Sequence, residues 1–416
     1  MAYDVLIIGA GLSGLFAACL AARRGKKTLV IARGIGGTHV GAGTIDVFNG
    51  PRQALTAKGK SIDHPYSLAG LKSLQAALDQ FKTLCAENGY PLHGEYGKNI
   101  ALPTAAGGVR QACLVPETMI AGDLSRPESF VLAHLPGFRD FNAALAISNL
   151  KSLISSSPIF AVTLSLPHAP AHRDSYATDL ARLFDLPGYR DEVIAVWKPS
   201  LEDAPKRLGL PPILGLDHSL EAKQHLESAL GLELFEIPIL PPSVPGMRLF
   251  NLLCDDFQNH GGQMILGPTV RGQINSGRAA VTADMNGRER EYKADTLILA
   301  TGGFLNGGLV AEFDGAIRES VFNLAVDAGY SGSELHSLHS RTRAAWTSEH
   351  FLGPHPFAKF GVRVNKNLQP LNADGKPIAS NLRAIGSILA GADRLAEGSR
   401  EGIELATAWR GIETIA

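Results

Sequence analysis

The sequence predicts an α/β fold built on a Rossmann-like βαβ unit, with a second α/β region inserted into it. Three observations predict this. The chain opens as strand, glycine turn, helix and strand: Val5-Leu6-Ile7-Ile8, then Gly9-Ala10-Gly11-Leu12-Ser13-Gly14, an alanine-rich stretch from Leu15 to Arg24, and a second apolar run from Thr28 to Ile31. A later apolar strand, Thr296 to Ala300, runs into Thr301-Gly302-Gly303. Between them, from Gly94 to about Pro242, prolines and short apolar runs mark a region of different texture.

The opening unit carries the G-x-G-x-x-G pattern that cradles a dinucleotide phosphate. Gly9 permits the sharp turn, Gly11 lets backbone touch a pyrophosphate, and Gly14 lets the helix sit close on the sheet. The helix start at Leu12 and Ser13 offers unpaired N–H groups and partial positive charge to an anion. The bland alternative is a tight turn without a ligand, which does not need three glycines at this spacing. In the usual fingerprint an acid ends the second strand and binds the adenosine ribose. Here that strand ends in Arg33-Gly34, and no acid occurs between Lys26 and Thr44. Arg33 reads either as a phosphate contact or as a solvated charge. The missing carboxylate leaves room for FMN, which has no adenosine to hold.

At 416 residues two or three domains are expected, or one large interrupted one. Hydrophobic residues at 45% and charged residues at 19% describe a globular chain with ample core. A net charge of −1 gives no long-range attraction to nucleic acid or anionic lipid. No apolar run reaches bilayer length, and Met1-Ala2-Tyr3-Asp4 has no basic region of a secretion signal, so a cytoplasmic protein is expected. The four cysteines, Cys19, Cys85, Cys113 and Cys254, are too far apart for a C-x-x-C pair or a local iron–sulfur motif. Electron transfer would need an organic cofactor.

Along the chain, the glycine-rich run from Gly36 through Gly41 and Gly43-Thr44 to Asp46 reads as a loop on which a ring system could lie, or as a surface loop. His39 within it is either a polar cofactor contact or a loop histidine. Leu68 to Asn88 is amphipathic, with Leu71, Leu74, Leu78, Phe81 and Leu84 on one face and Gly89 as its stop. Ile159 to Leu166 reads as a strand; Leu180 to Phe184, Asp191 to Trp197 and Leu220 to Leu230 read as helices. A helix from Met247 to His260 closes at Gly261-Gly262. Short strands follow at Met264 to Leu266, Val270 to Ile274, Ala279 to Asp284 and Arg290 to Tyr292, before the strand that ends at Thr301-Gly302-Gly303. Near the end, Arg383 to Ser387 enters a turn, followed by Gly391-Ala392-Asp393, Glu397-Gly398-Ser399-Arg400-Glu401-Gly402 and a helix from Ile403 to Trp409. A loop before a late helix can set backbone N–H groups against a cofactor. Asp393 reads as a cofactor-hydroxyl acceptor or as a turn aspartate.

With these glycine sites in hand, the chain resembles the B-subunit family of the bacterial anaerobic glycerol-3-phosphate dehydrogenases over nearly its full length. The segments that carry the likeness are Asp4 to Leu15, Arg33-Gly34 onward to Gly43-Thr44-Ile45-Asp46, Leu240 to Leu249, Ala300 to Phe304 with Gly307 to Glu312, and Asn381 to Gly398. The resemblance implies an α/β flavoprotein of the two-dinucleotide-binding type with an inserted α/β cap domain. It implies a flavin, FMN in this family, although the fold also suits FAD. It implies a chain working beside a larger flavoprotein subunit and an iron–sulfur subunit, oxidising sn-glycerol 3-phosphate to dihydroxyacetone phosphate with electrons passed on to quinone. Peripheral attachment to the cytoplasmic membrane would then come through a partner. The family generally reads Glu-Gly-Cys-Gly-x-Gly near the end, and this chain departs from it at Ser399 and Arg400.

The expected cofactor residues are Gly9, Gly11, Leu12, Ser13, Gly14, Arg33, Gly34, Gly41, Gly43, Thr44, Thr301, Gly302, Gly303, Gly391, Asp393, Gly398, Ser399 and Gly402. Candidates for a phosphate substrate and proton transfer are Arg248, Arg318, Arg341 and Arg343, with His336, His339, His350 and His355. The last group reads as a polar loop facing a cleft rather than a metal site, since no third ligand is placed; Arg248 could equally pin its proline-rich turn. The expected segments are a flavin domain at 1–92, 243–310 and 376–416, an inserted domain at 93–242 and a cap segment at 311–375. A stand-alone flavin oxidoreductase on another substrate, and a non-catalytic assembly subunit, are the alternatives.

Overall fold

The computed structural model describes residues 2–48, 64–154, 158–168, 174–313, 316–327, 346–413 and 415. The chain forms two compact units: Met1–Gly37, Val47–Phe81 and Leu253–Ala416 make the first, and Thr38–Asp46 with Lys82–Leu252 the second. The helices Leu71–Glu87 and Val244–Asn259 each span a boundary between them in sequence.

The first unit is organised by a sheet in which Gln263–Leu266, Thr28–Ala32, Ala2–Ile8, Arg288–Leu299 and Leu382–Ala384 lie side by side and parallel. Ile8 pairs with Ile31 on one side and Leu299 on the other, and Leu299 pairs with Ala384, so the carboxyl ends of the strands finish level. Val5 to Ile8 and all of Thr28–Ala32 are buried, as expected for parallel strands covered on both faces. The two strands expected at 290–292 and 296–300 are one, Arg288–Leu299, 12 residues long. Its first half pairs antiparallel with Arg278–Met285 through a turn at Asn286-Gly287, both at positive φ, and its second half pairs parallel with Ala2–Ile8. One continuous strand therefore belongs to a hairpin and to the parallel core, which local periodicity reads as two.

The glycine-turn helix, Leu12–Arg23, is buried along its length from Leu12 to Ala22. Cys19 donates to Leu253 O at 3.3 Å, and Arg23 Nε donates to Asp256 Oδ2 at 2.9 Å. The helix expected from 68 to 88 is broken: Pro65–Ala69 stops at Gly70, with φ of 87°, before Leu71–Glu87 begins.

The second unit has its own four-stranded parallel sheet, in the order Glu233–Glu236, Arg207–Leu210, Phe130–His134, Ile159–Thr163. Helices Ala143–Leu153, Ala177–Phe184, Pro187–Leu201 and Ser219–Leu230 intervene between its strands. Gly209 lies mid-strand because a Cβ there would come within 2.7 Å of the Phe235 ring and 2.6 Å of Leu132. Arg207, 1% exposed, fills this core with charge and donates to three carbonyls: Ala121 at 2.8 Å, Glu128 at 2.9 Å and Asp123 at 2.8 Å. Its guanidinium also lies over the Phe130 and Phe235 rings.

Replacing Arg207 with Met keeps the apolar stem but orphans three carbonyls. A loss of about 3 kcal/mol of unfolding free energy is expected, read by urea melts.

Candidate functional site

The first unit gathers its glycines where the parallel strands end, and they are glycines for different reasons. Gly9 has φ of 116°, and a Cβ there would lie 2.2 Å from Ala300 O. A Cβ at Gly14 would lie 2.1 Å from Gly9 O. These two positions admit no side chain because protein backbone is already there. Gly11 is extended, with φ of −78° and ψ of −179°, and its Cβ would meet nothing within 4 Å. Neither conformation nor packing within the described residues demands glycine there; the open space itself is what a side chain would fill. Gly11 caps the helix without any side-chain hydrogen bond, and no acid occupies the first turn. The N–H groups of Leu12, Ser13 and Gly14 are thus presented at a positive helix end with no side chain capping them.

Around this turn stand three further loops. Arg33 is exposed where the second strand ends, and beside it Gly34 has nothing within 4 Å of its Cβ position. The loop then folds back, because Gly36 comes within 2.7 Å of Gly11 by the same measure. Past Leu299, Thr301 has a buried hydroxyl with no hydrogen-bond partner, followed by Gly302 and Gly303. Past Ala384, Gly386 is pressed on Ser13: a Cβ there would sit 2.3 Å from the serine Oγ. Gly386 N donates to Thr407 Oγ1 at 2.9 Å, which ties this turn to the C-terminal helix Arg400–Glu413. Ser387 Oγ donates to Glu404 Oε1 at 2.8 Å. Burial pushes the Glu404 carboxyl above its ordinary range.

The segment before that helix is held by its own side chains. Asp393 Oδ1 accepts from Ala396 N at 3.2 Å, a turn-capping bond, and Asp393 N donates to Glu397 Oε1 at 3.1 Å. Glu397 Oε2 lies 3.0 Å from His64 Nε2 and accepts from Ser399 Oγ at 3.1 Å. Burial raises the Glu397 carboxyl, but the His64 bond and charge outweigh it and hold the group below its usual range. Ser399 is fully buried, Gly402 lies buried in the first helical turn, and Gly391 is half-buried. Gly398 has φ of 58° and open space at its Cβ position. Arg400 Nε donates to Glu401 Oε1 at 2.8 Å.

Gly41, Gly43 and Thr44 belong to the second unit, where internal packing accounts for them. Gly41 O accepts from Ser243 Oγ at 2.6 Å, a Cβ at Gly43 would lie 2.6 Å from Pro245 Cβ, and Thr44 Oγ1 accepts from Arg110 Nε at 2.9 Å. In the same unit His39 Nδ1 and Thr38 Oγ1 are buried without partners. Arg248 is buried with Glu236: Nη1 reaches Oε2 at 2.5 Å, Nη2 reaches Oε1 at 2.8 Å, and Nε donates to Gly215 O at 2.8 Å. This corrects the substrate-binding reading of Arg248, because the guanidinium is spent on a buried clamp. Arg318 pairs with Glu312 across a hairpin, Nε to Oε1 at 2.6 Å, and keeps 43% of its side chain exposed. His355 Nδ1 accepts from Ser348 N at 2.9 Å, leaving Nε2–H to donate to Phe351 O at 2.9 Å, and His350 is exposed near the same turn. His336, His339, Arg341 and Arg343 lie outside the described residues.

Two residues at the carboxyl edge of the first unit, Glu404 and Arg394, escape sequence reasoning. Each has a residue of opposite charge within four positions, Arg400 and Asp393 respectively, a pattern that reads as a solvated pair. The set that does fit a cofactor is consistent: an uncapped helix start, open Cβ directions at Gly11 and Gly34, and a buried, unpartnered Thr301 hydroxyl. Arg33-Gly34 ends the second strand without a carboxylate for a ribose.

The chain matches the FAD binding domain family over residues 4–403. It is 30% identical to the B-subunit of the anaerobic glycerol-3-phosphate dehydrogenase of Pectobacterium atrosepticum, covering 100% of this chain and 99% of that one. It is likewise 30% identical to the protein of that name in Vibrio cholerae, over 100% of this chain and 97% of the other, and 29% identical to that of Yersinia pestis, over 98% and 96%.

Gly11→Val should fold and lose flavin, since its side chain meets only open space. Gly14→Val should lose soluble protein, since its side chain meets backbone. Expression yield and the 450 nm flavin absorbance, roughly where oxidised flavin absorbs, separate the two outcomes. A fully flavinated Gly11→Val protein would remove the phosphate from this turn.

Proposed function

The chain belongs to the FAD binding domain family and, over its full length, to the B-subunit family of the anaerobic glycerol-3-phosphate dehydrogenases, and on that premise we propose that it serves in the oxidation of sn-glycerol 3-phosphate to dihydroxyacetone phosphate. A flavin oxidoreductase subunit is established by that membership; substrate, electron acceptor and partners are the proposal. The observation that carries it is likeness at 30% identity across both chains nearly end to end, so that the flavin unit and the second unit are both matched.

A bound flavin supplies acceptance of two electrons from a donor and their release one at a time. The chain's own residues bind and orient it. The first-turn N–H groups of Leu12, Ser13 and Gly14 hold phosphate, and Gly11 leaves room for that approach. The Thr301 hydroxyl, buried without a partner past the neighbouring strand end, and the backbone of Gly302 and Gly303 would meet the cofactor there. FAD is the flavin expected of the matched family; the acid-free strand end at Arg33-Gly34 keeps FMN as the competing occupant. Arg318, exposed enough to be reached, is the candidate for the substrate phosphate, exchanging Glu312 for the incoming anion. Electrons from the flavin would then pass through a larger flavoprotein subunit and an iron–sulfur subunit toward quinone. No described helix is long and apolar enough to cross a membrane, so membrane attachment would come through a partner.

Purified protein should be yellow, and mixing with glycerol 3-phosphate in the presence of its partner subunits should bleach the flavin band. Bleaching without partners would instead mark a self-sufficient enzyme, and no bleaching with them would refute the substrate. Chromatography of the released cofactor should yield FAD; FMN would show that the second strand's missing acid decides the flavin.

A further inference from the structure

Glu404 sets a carboxyl behind the turn that closes on the glycine helix. It lies in the second turn of the C-terminal helix Arg400–Glu413, and Ser387 Oγ donates to its Oε1 at 2.8 Å. A Cβ at Gly386 would lie 2.3 Å from Ser13 Oγ and 3.7 Å from Glu404 Cγ, so Glu404 and the first turn of Leu12–Arg23 press on the same glycine. A Cβ at Gly303 would lie 3.5 Å from Ser387 O, which brings the loop after Leu299 to the same turn. Several groups act on the Glu404 carboxyl. Burial raises it, Arg400 opposes that, Glu401 adds to it, and the Ser387 bond and Arg394 oppose it again. Ser387 and Ser13, from the turn and the glycine helix, carry no charge. His64 and Tyr66, at the start of Pro65–Ala69, face Glu397 and Ser399 O instead. Arg24 and Arg383 meet the C-terminal helix at its far end, at Ile412 O and Gly411 O.

An anion on the first-turn N–H groups of Leu12, Ser13 and Gly14 stands across Gly386 from this carboxyl. Like charges that close disfavour each other, so a bound anion favours the neutral acid and the neutral acid favours the anion. We propose that Glu404 is a positioning residue whose proton is linked to flavin uptake: the cofactor phosphate at the glycine turn is held tightly while Glu404 is neutral and loosely once it ionises. This deepens the flavin reading and rests on it. One proton is taken up with the flavin over the pH range in which free protein has Glu404 ionised and loaded protein has it neutral. Below that range the acid is neutral in both forms, and the Kd is flat. Within it the Kd rises with pH, by at most about tenfold per unit for one proton. Above it the acid is ionised in both forms, and the Kd is flat at its weaker value.

The test uses the full-length protein stripped of flavin. FAD is the probe, because a terminal phosphate monoester titrates near pH 6 on its own account, at about the second phosphate pKa, and a diphosphate bridge does not. The Kd for oxidised FAD is read by fluorescence quenching from about pH 5 to about pH 9, and proton uptake by calorimetry in two buffers of different ionisation heat. Wild-type Kd should rise about tenfold across this range, with proton uptake in the rising part. Glu404→Gln keeps an acceptor for Ser387 but cannot ionise; it should bind FAD at every pH as tightly as wild type does at the acid end, with no proton uptake. Ser387→Ala removes a bond that favours the ionised acid, so the rise should move to higher pH. A flat wild-type Kd without proton uptake would overturn the proposal, as would a Glu404→Gln protein that keeps the wild-type rise. If Glu404→Gln does not fold, Ser387→Ala decides: a rise that moves up supports the proposal, and one that stays put overturns it. Wild-type protein that takes up no FAD at any pH would sink the flavin reading itself, a distinct result.

Discussion

The arrangement of the first unit depends on one close contact, the crossing of bare main chain at the end of two parallel strands. Gly9 leaves the strand Ala2–Ile8 within van der Waals exclusion of Ala300 O, and Gly14 returns against Gly9 O. With no side chains at that crossing, the helix Leu12–Arg23 can start directly over the sheet edge, and its first-turn N–H groups face the space that Gly11 keeps open. The same edge receives the loop after Leu299 and, through Gly386 on Ser13, the turn after Ala384. The order of the parallel strands reverses direction in sequence at Ala2–Ile8, which is where doubly wound sheets bind ligands.

The second unit solves a different problem, that of burying charge inside a small parallel sheet. Arg207 satisfies its guanidinium with three carbonyls and two aromatic faces, while Arg248 takes Glu236 as a two-pronged partner and Gly215 O as a third. Burial and the Glu236 charge act on Arg248 in opposite directions, and the carboxylate prevails to hold it above its ordinary range. Such clamps are weak sources of net stability, but removing either partner strands the other. The Arg248–Glu236 pair pins the end of Glu233–Glu236 and the first turns of Val244–Asn259 to each other.

In the C-terminal segment the departure of Ser399 and Arg400 from the family pattern is absorbed locally. Ser399 is buried on Glu397, and Arg400 heads the helix with its side chain turned to Glu401 and 40% exposed. The change adds charge to a region that already carries Glu397, Glu404 and Arg394, and only Arg394 among those three has no polar side-chain partner. Charge balance there is set by side chains brought together from a turn and a helix, not by neighbours in sequence.

The opening βαβ unit was legible because its evidence is local: a run of buried apolar residues, three glycines at fixed spacing and an alternation of strand and helix patterns within a short window. The strands at 264–266, 270–274 and 279–284 were legible for the same reason, with boundaries shifting by a residue or so. The second unit's strands Phe130–His134, Arg207–Leu210 and Glu233–Glu236 were not, because each is short and two begin or end in charge. They are strands only because they lie beside one another. Sequence likewise could name Arg248 and Arg394 as arginines but not tell a satisfied cation from an unsatisfied one. That difference lies in which carboxylate reaches within hydrogen-bonding distance after folding. What the sequence by itself determined is the backbone-lined phosphate turn, since glycine spacing is a covalent property of the chain; what tertiary structure decided is where the buried charges find partners, since those partners lie in other elements.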